Sequence, residues 1–294
     1  MALFKGAGVA LVTPFKDGDV DYNSLERLIN WQIDNDIDAI ISCGTTGEAS
    51  TLSVKEQLSV IDFTVRKVDG RVPVIAGSGS NNTSTAMFLA KEIEELGVNG
   101  LLIVTPYYNK CTQKGLQNHY EMIADYTELP IILYSVKSRT SVNIEPKTVL
   151  ALSKHPRIVG IKEASGDISQ ICKIASMVNT NDFAIYSGND DQTLPIMSLG
   201  GVGCISTVAN IIPKEYHQMI NYYSKGNIRI AQKMQLKMKP LIEAIFAEVN
   251  PIPIKAALNI MGMIEKEYRM PLCEPSNETL YWIYDEMKKF GIKI

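Results

Sequence analysis

No stretch of this 294-residue chain approaches the ~20 consecutive apolar residues of a bilayer span, so no transmembrane helix is expected. The longest apolar run near the start, residues 6–12, ends at Thr13-Pro14 and follows a single lysine. A secretory leader has a longer apolar stretch and a small-residue cleavage site, so none is expected either. Basic runs are also missing. The 29 lysines and arginines are scattered among 32 acidic residues, for a net charge of −3, which gives no electrostatic footing for nucleic acid or an anionic membrane. Histidine is scarce: His119, His155 and His217 fall in or just after helical stretches without ligand spacing, so no metal is expected. The five cysteines (Cys43, Cys111, Cys172, Cys204, Cys273) are odd in number and contain no close pair. They read as free thiols in a reducing, cytoplasmic setting. No G-x-G-x-x-G follows the first strand, which argues against an open dinucleotide-binding sheet. Gly200-Gly201-Val202-Gly203 precedes a strand and reads as a helix stop, and Gly77-Ser78-Gly79 lacks the Lys-Ser/Thr of a phosphate loop. No cofactor is implied.

What the chain does contain is a repeated unit. Short Val- and Ile-rich runs at 9–12, 39–43, 73–76, 101–105, 131–134, 158–161, 183–186 and 204–208 are apolar at consecutive positions, as parallel strands buried on both faces are. Helical patterns lie between them: Leu25, Leu28, Ile29 and Ile33 after a cap at Asn23 or Ser24, and Ala86, Leu89, Ala90, Ile93 and Leu96 stopping at Gly97. Eight strands, each followed by a helix, are the count that closes a (β/α)8 barrel, an α/β TIM barrel, and the length suits one. From about Asn227 the pattern is helical only, at 228–248, 253–263 and 278–290. The expected organisation is a barrel over 1–226 with a small C-terminal helical domain over 227–294.

Barrel enzymes carry their chemistry at the C-terminal ends of the strands and in the loops just after them. That rule selects Gly44-Thr45-Thr46-Gly47-Glu48, Thr105-Pro106-Tyr107-Tyr108-Asn109, Tyr134 with Lys137-Ser138-Arg139-Thr140, Ile161-Lys162-Glu163-Ala164 and Ser187-Gly188-Asn189-Asp190. Side chains alternate along a strand, so Ile158, Gly160, Lys162 and Ala164 share a face, with Val159 and Ile161 on the other. The small residues beside Lys162 leave it room to point into the barrel mouth. Desolvation there lowers an amine's pKa and makes it a nucleophile toward a carbonyl; a lysine at a strand end can instead snorkel to water. Tyr134 shares a face with Ile132 on a neighbouring strand, and Thr45, Thr46 and Tyr108 add hydroxyls at strand ends. Such a set suits a reaction that moves a proton several times without bulk water. The Gly-flanked Thr46 turn can hold a small carboxylate, and the Arg139 fork fits a second one bidentately. Singly, Tyr134 reads as core and Arg139 as a surface ion pair; together they point to Schiff-base chemistry on a small keto acid.

These motifs, with Asn250-Pro251-Ile252-Pro253, occur in the order and spacing of a known superfamily over essentially the full length. The chain resembles the dihydrodipicolinate synthase and N-acetylneuraminate lyase superfamily, and Ser138-Arg139-Thr140 resembles its dihydrodipicolinate synthase branch. The resemblance implies that Lys162 condenses with pyruvate and that Thr46 and the main chain near Ile205, with Gly188, hold it. It implies proton transfer by Tyr134 with Thr45 and Tyr108, and an Arg139 that binds the carboxylate of L-aspartate 4-semialdehyde. The product would be 4-hydroxy-tetrahydrodipicolinate, the first committed compound of lysine and diaminopimelate synthesis. The tyrosine matching Tyr108 comes from a neighbouring subunit in the family, which implies a homo-oligomer, commonly a dimer of dimers. The chain departs from the usual pattern at Ser135 and Lys137, where asparagine and proline are usual, and at Ser141, where glycine is.

A sugar-acid aldolase, for N-acetylneuraminate or 2-keto-3-deoxygluconate, would keep the chemistry and change the substrate; Arg139 argues against it, because such enzymes grip a polyol there. A catalytically silent keto-acid sensor would not need Lys162 and the whole hydroxyl set. Lysine-inhibited relatives carry two histidines, an asparagine, a glutamate and a tyrosine where this chain has Val54, Gln57, Asn81, Thr85 and Tyr107. Weak or absent inhibition by lysine is expected.

Overall fold

A computed structural model describes residues 2–294. Eight parallel strands close into a barrel: β1 (Gly6–Ala10), β2 (Ala39–Ser42), β3 (Val74–Gly77), β4 (Gly100–Val104), β5 (Ile131–Ser135), β6 (Ile158–Glu163), β7 (Ala184–Ser187) and β8 (Gly203–Ser206). They follow one another around the ring in chain order, and β8 pairs back onto β1. The first strand therefore starts three residues earlier than periodicity predicts, and the last ends at Ser206. Gly6 and Gly8 weaken the apolar signal of β1, yet glycine is required there. A side chain at Gly6 would run into the Asp38 carboxylate, which accepts a 2.7 Å hydrogen bond from the Ala7 amide. Periodicity also misses a short hairpin, Phe15–Lys16 with Asp19–Val20, that follows β1.

Each strand serves two cores, which is why its residues are apolar at consecutive positions. Alternate side chains such as Val9, Ile40, Leu101, Ile103, Leu133, Ile161 and Ile185 pack outward against the helices. The others, including Ala10, Ile41, Ile75, Leu102, Ile132, Tyr134, Ala184, Tyr186 and Ile205, fill the barrel. Phe4 and Tyr186 stack inside it at 4.6 Å, and the Tyr186 hydroxyl donates to the Phe4 carbonyl at 2.8 Å. The barrel is a packed core, with chemistry left to its rim.

Between strands, the helix Tyr22–Asp34 is capped by Asp21, whose carboxylate accepts from the Asn23 and Ser24 amides. The cap is thus Asp21, and Asn23 and Ser24 already lie in the first turn. Thr83–Glu94 is capped by Asn82, and the chain turns away through Gly97 at φ 79°. Gly200, at φ 93°, ends the turn that follows helix Thr193–Met197, as a helix-stop glycine does.

After β8 come the helices Pro213–Ser224, Ile228–Ile245, Ile252–Ile260 and Asn277–Phe290. Ala231, Met238, Ile242, Ile254, Ile283 and Met287 are buried in the same outer core as the barrel helices. No helix among the described residues is long and apolar enough to cross a membrane, and no cluster of His, Cys, Asp or Glu among them could hold a metal ion. All five cysteines are free.

Candidate active site

Register sets the centre of the site. Pairing across β4, β5, β6 and β7 aligns Val104 with Tyr134, Tyr134 with Lys162, and Lys162 with Tyr186. Neighbours in a parallel ladder point to the same side, so Lys162 and Tyr134 share the barrel's inner face near its C-terminal rim. The alternation expected along β6 needs one correction. A register shift lets Ile131 face Ile158 and Ile132 face Gly160. The extra residue, Val159, turns Ile158 outward into the helix-facing core, and inward alternation begins at Gly160.

Lys162 is buried, at 6% exposure, with its Nζ 4.3 Å from the centre of the Tyr134 ring. No hydrogen bond or ion pair to another described residue ties that nitrogen down. An amine so enclosed, without a carboxylate, is held by little except its apolar stem and an aromatic face. The space for its stem comes from Gly188, where a Cβ would stand 3.2 Å from Lys162 Cε and 2.7 Å from Ala164 Cβ. Gly160 does a different job: a Cβ there would strike the Ala184 carbonyl at 2.6 Å. The roominess of this face therefore depends on Gly188 and not on Gly160.

A cavity of about 510 Å³ opens at the rim, and Gly44, Thr45, Tyr134, Arg139, Thr140 and Tyr107 are among its walls. Thr46 is buried beside it. Its Oγ1 accepts from Asn250 Nδ2 at 3.0 Å and lies 3.4 Å from Thr207 Oγ1. Because Asn250 supplies the donor, the Thr46 hydroxyl proton is free to go to Thr207. Thr207 is held in turn by Asp190, whose buried carboxylate accepts from the Thr207 and Val208 amides at 3.1 and 3.2 Å. Burial pushes the Asp190 carboxyl up, and these bonds partly oppose the shift. They pin the chain just after Ile205, which is itself buried in the inner core.

Arg139 lies on a one-turn helix, Lys137–Thr140, and its Nη2 donates to the Asn250 carbonyl at 2.9 Å. Ser141 closes that turn at φ 60°, a conformation that glycine adopts at less cost. This is the position where the resembling family usually carries glycine, so the turn persists with serine in it.

The structure thus sets Thr45, Tyr134 and Arg139 on the wall of one cavity, with Lys162 against the Tyr134 ring, Gly188 against the Lys162 stem and Thr46 buried next to Thr45; Lys162, Gly188 and Thr46 are not themselves on that wall. It does not bring Tyr108 to them. Tyr108 sits at φ 73°, is 91% exposed and points away from its own chain's cavity, whereas Tyr107 lines that cavity. Sequence reasoning gave no role to Asn250 or Lys255, which contact Thr46 and Glu48. Lys255 was detectable as the one charged residue in the mostly apolar stretch Ile252–Ile260; Asn250 gave no signal beyond its motif.

A model of the Dihydrodipicolinate synthetase family matches residues 3–289. The 4-hydroxy-tetrahydrodipicolinate synthase of Thermoanaerobacter sp. (strain X514) is 52% identical over 293 residues, which cover 99% of this chain and 98% of that one. That of Alkaliphilus oremlandii (strain OhILAs) is 50% identical over 290 residues, covering 99% and 100%. The crystal structure of dihydrodipicolinate synthase from Thermotoga maritima superposes with a TM-score of 0.97 at 44% identity, covering 99% of each chain.

Proposed function

This chain belongs to the dihydrodipicolinate synthetase family, and we propose that Lys162 is the amine that carries its reaction. That reaction condenses pyruvate with L-aspartate 4-semialdehyde to 4-hydroxy-tetrahydrodipicolinate, the first committed step of lysine and diaminopimelate synthesis. The enzyme is a lyase. The observation that carries the assignment is an enclosed amine with no anionic partner, next to a tyrosine ring at the barrel rim.

Lys162 attacks C2 of pyruvate, water leaves, and an imine forms. Loss of a C3 proton gives an enamine, whose C3 attacks the aldehyde carbon of the semialdehyde. The amino group of that substrate then displaces Lys162 from C2, and the ring closes. Tyr134 moves the protons, with Thr45 beside it and Tyr108 reaching in from a neighbouring copy. Thr46, the main chain near Ile205 and Gly188 form the pyruvate side, and Arg139 faces the semialdehyde carboxylate. No cofactor takes part, and a cytoplasmic setting suits five free thiols. Residues 1–226 supply the reacting groups, and 227–294 form the helical domain that buttresses them. Borohydride with pyruvate is expected to add one reduced pyruvate per chain, mapped to Lys162. An adduct on another lysine, or none, would overturn the assignment.

Arg139→Ala separates the two carboxylates. Losing charge-assisted bonds worth about 1.5–3 kcal/mol is expected to raise the KM for the semialdehyde roughly ten- to a hundredfold, with pyruvate trapping unchanged. Equal effects on both substrates would contradict the role.

The assembly we propose is a homo-oligomer, a dimer of dimers, because an exposed aromatic held at φ 73° is serviceable only if a partner covers it. Mixing inactive Lys162→Ala chains with inactive Tyr108→Phe chains is expected to restore activity, since one site of each mixed dimer holds both groups. Absence of recovery after proven subunit exchange would remove Tyr108 from the site.

Lysine is expected to inhibit weakly. Thr85 and Gln57 line the cavity next to Tyr107 and carry no charge for an ammonium. Glu56 does not supply one: it is committed to Arg269 at 2.6 Å and to its own helix cap, and Arg269 holds its carboxyl down at about 2. Burying an ammonium without its anion costs a few kcal/mol, on the order of a hundredfold in affinity. The rate at subsaturating pyruvate should stay flat into the tens of millimolar range of lysine, roughly; half-inhibition below 1 mM, roughly, would refute this.

A further inference from the structure

Glu48 and Lys255 form the one ion pair among the described residues in which both side chains are fully buried, 0% and 1% exposed, with Nζ 2.6 Å from Oε1. The reaction proposed above, on which this inference rests, uses neither. Stability alone does not account for them, since a buried pair can be exchanged for apolar residues at no loss or with a gain. What distinguishes the pair is where it pulls.

Glu48 ends the Gly44–Glu48 turn in the left-handed region, at φ 53°. Its amide donates to the Thr45 carbonyl at 3.1 Å, and its carbonyl accepts from the Thr51 amide at 2.9 Å. A residue with a Cβ held in this region costs on the order of 1 kcal/mol and persists only where the surroundings impose it. Lys255 meets the Glu48 carboxylate from the far end of the chain. It sits on helix Ile252–Ile260, its Nζ 4.3 Å from the Phe15 ring centre and 5.3 Å from that of Tyr268. Burial pushes the Glu48 carboxyl up and the Lys255 amine down, and their mutual attraction opposes both shifts. Five residues before Lys255, Asn250 donates to Thr46 Oγ1 at 3.0 Å. The C-terminal helical segment therefore grips one five-residue turn at two points, Thr46 and Glu48.

We infer that Glu48 and Lys255 are positioning residues for the pyruvate carboxylate: their ion pair fixes the turn that carries Thr45 on the cavity wall and Thr46 buried beside it. Arg139 is on a different loop and reaches the same segment only through the Asn250 carbonyl, so the semialdehyde side should be less affected. Two variants test this. Lys255→Met keeps the stem and removes the ammonium. It is expected to raise the pyruvate KM at least about tenfold, to change the semialdehyde KM less than about threefold, and still to yield the Lys162 adduct at saturating pyruvate. Glu48→Met with Lys255→Met leaves no unpaired charge, and is expected to melt at or above the wild-type temperature while retaining the raised pyruvate KM. If Lys255→Met does not fold, the double variant decides. A double variant with a pyruvate KM within about twofold of wild type would reduce the pair to a structural contact and overturn the inference, as would an equal rise in both KM values. A wild-type enzyme that forms no adduct on Lys162 would instead fail the underlying reading of the reaction, so the two failures are told apart.

Discussion

Lys162→Ala is expected to lower turnover at least about a thousandfold and to leave no pyruvate adduct after borohydride. The size follows from what is lost. Without the amine there is no imine to draw electrons from C3, so the variant loses the pathway and not one contact within it. The fold should survive. Lys162 makes no ion pair or hydrogen bond with another described residue, so its removal strands no buried charge. Circular dichroism and melting temperature close to wild type would establish that. Exposed lysines make a useful contrast. Lys137 sits two residues before Arg139 on the same one-turn helix and is solvent-facing, so Lys137→Ala should keep the adduct. If Lys162→Ala retains even a tenth of wild-type turnover, the amine chemistry belongs to another residue.

Tyr134→Phe should depress kcat by roughly a hundred- to ten-thousandfold, the range for losing a positioned proton carrier, with much smaller changes in either KM. Its structural cost is expected to be slight. The ring stays packed in the barrel core with Ile132 and Leu102, and its hydroxyl makes no hydrogen bond to another described residue, so no partner is left unsatisfied. The Lys162 amine keeps an aromatic face, now 4.3 Å from its Nζ. A kcat loss therefore reports on the oxygen. The adduct should still form, more slowly, because imine formation also needs protons moved. A decrease below about tenfold would shift the proton role to Thr45 or to the tyrosine of a neighbouring copy.

Much of this was legible in the sequence because the relevant forces are local or periodic. Consecutive apolar positions in short runs report strands buried on both faces, and eight such runs alternating with helices close a barrel. Given the barrel, strand ends name the rim, so Lys162, Tyr134 and the Thr45-Thr46 turn could be chosen before their coordinates were known. The misses also have physical causes. Gly6 and Gly8 disguised the start of β1, since a glycine needed for close packing lowers the apolar signal. Ile158 faces outward, opposite to what simple alternation predicts, because a bulge depends on the partner strand's register and leaves no mark on its own residues.

The sequence by itself therefore determined the architecture and singled out Lys162 as the amine proposed to react: alternation, run length and strand order are properties of neighbours along the chain. Tertiary structure alone decided what holds the site in shape. Asn250 and Lys255 meet Thr46 and Glu48 across more than 200 residues, and closing so long a loop is driven by the whole core with no local signal that names the partner. It also decided that Tyr108 turns outward while Tyr107 faces the cavity. Two adjacent identical side chains have the same preferences, and only the backbone at φ 73° separates them.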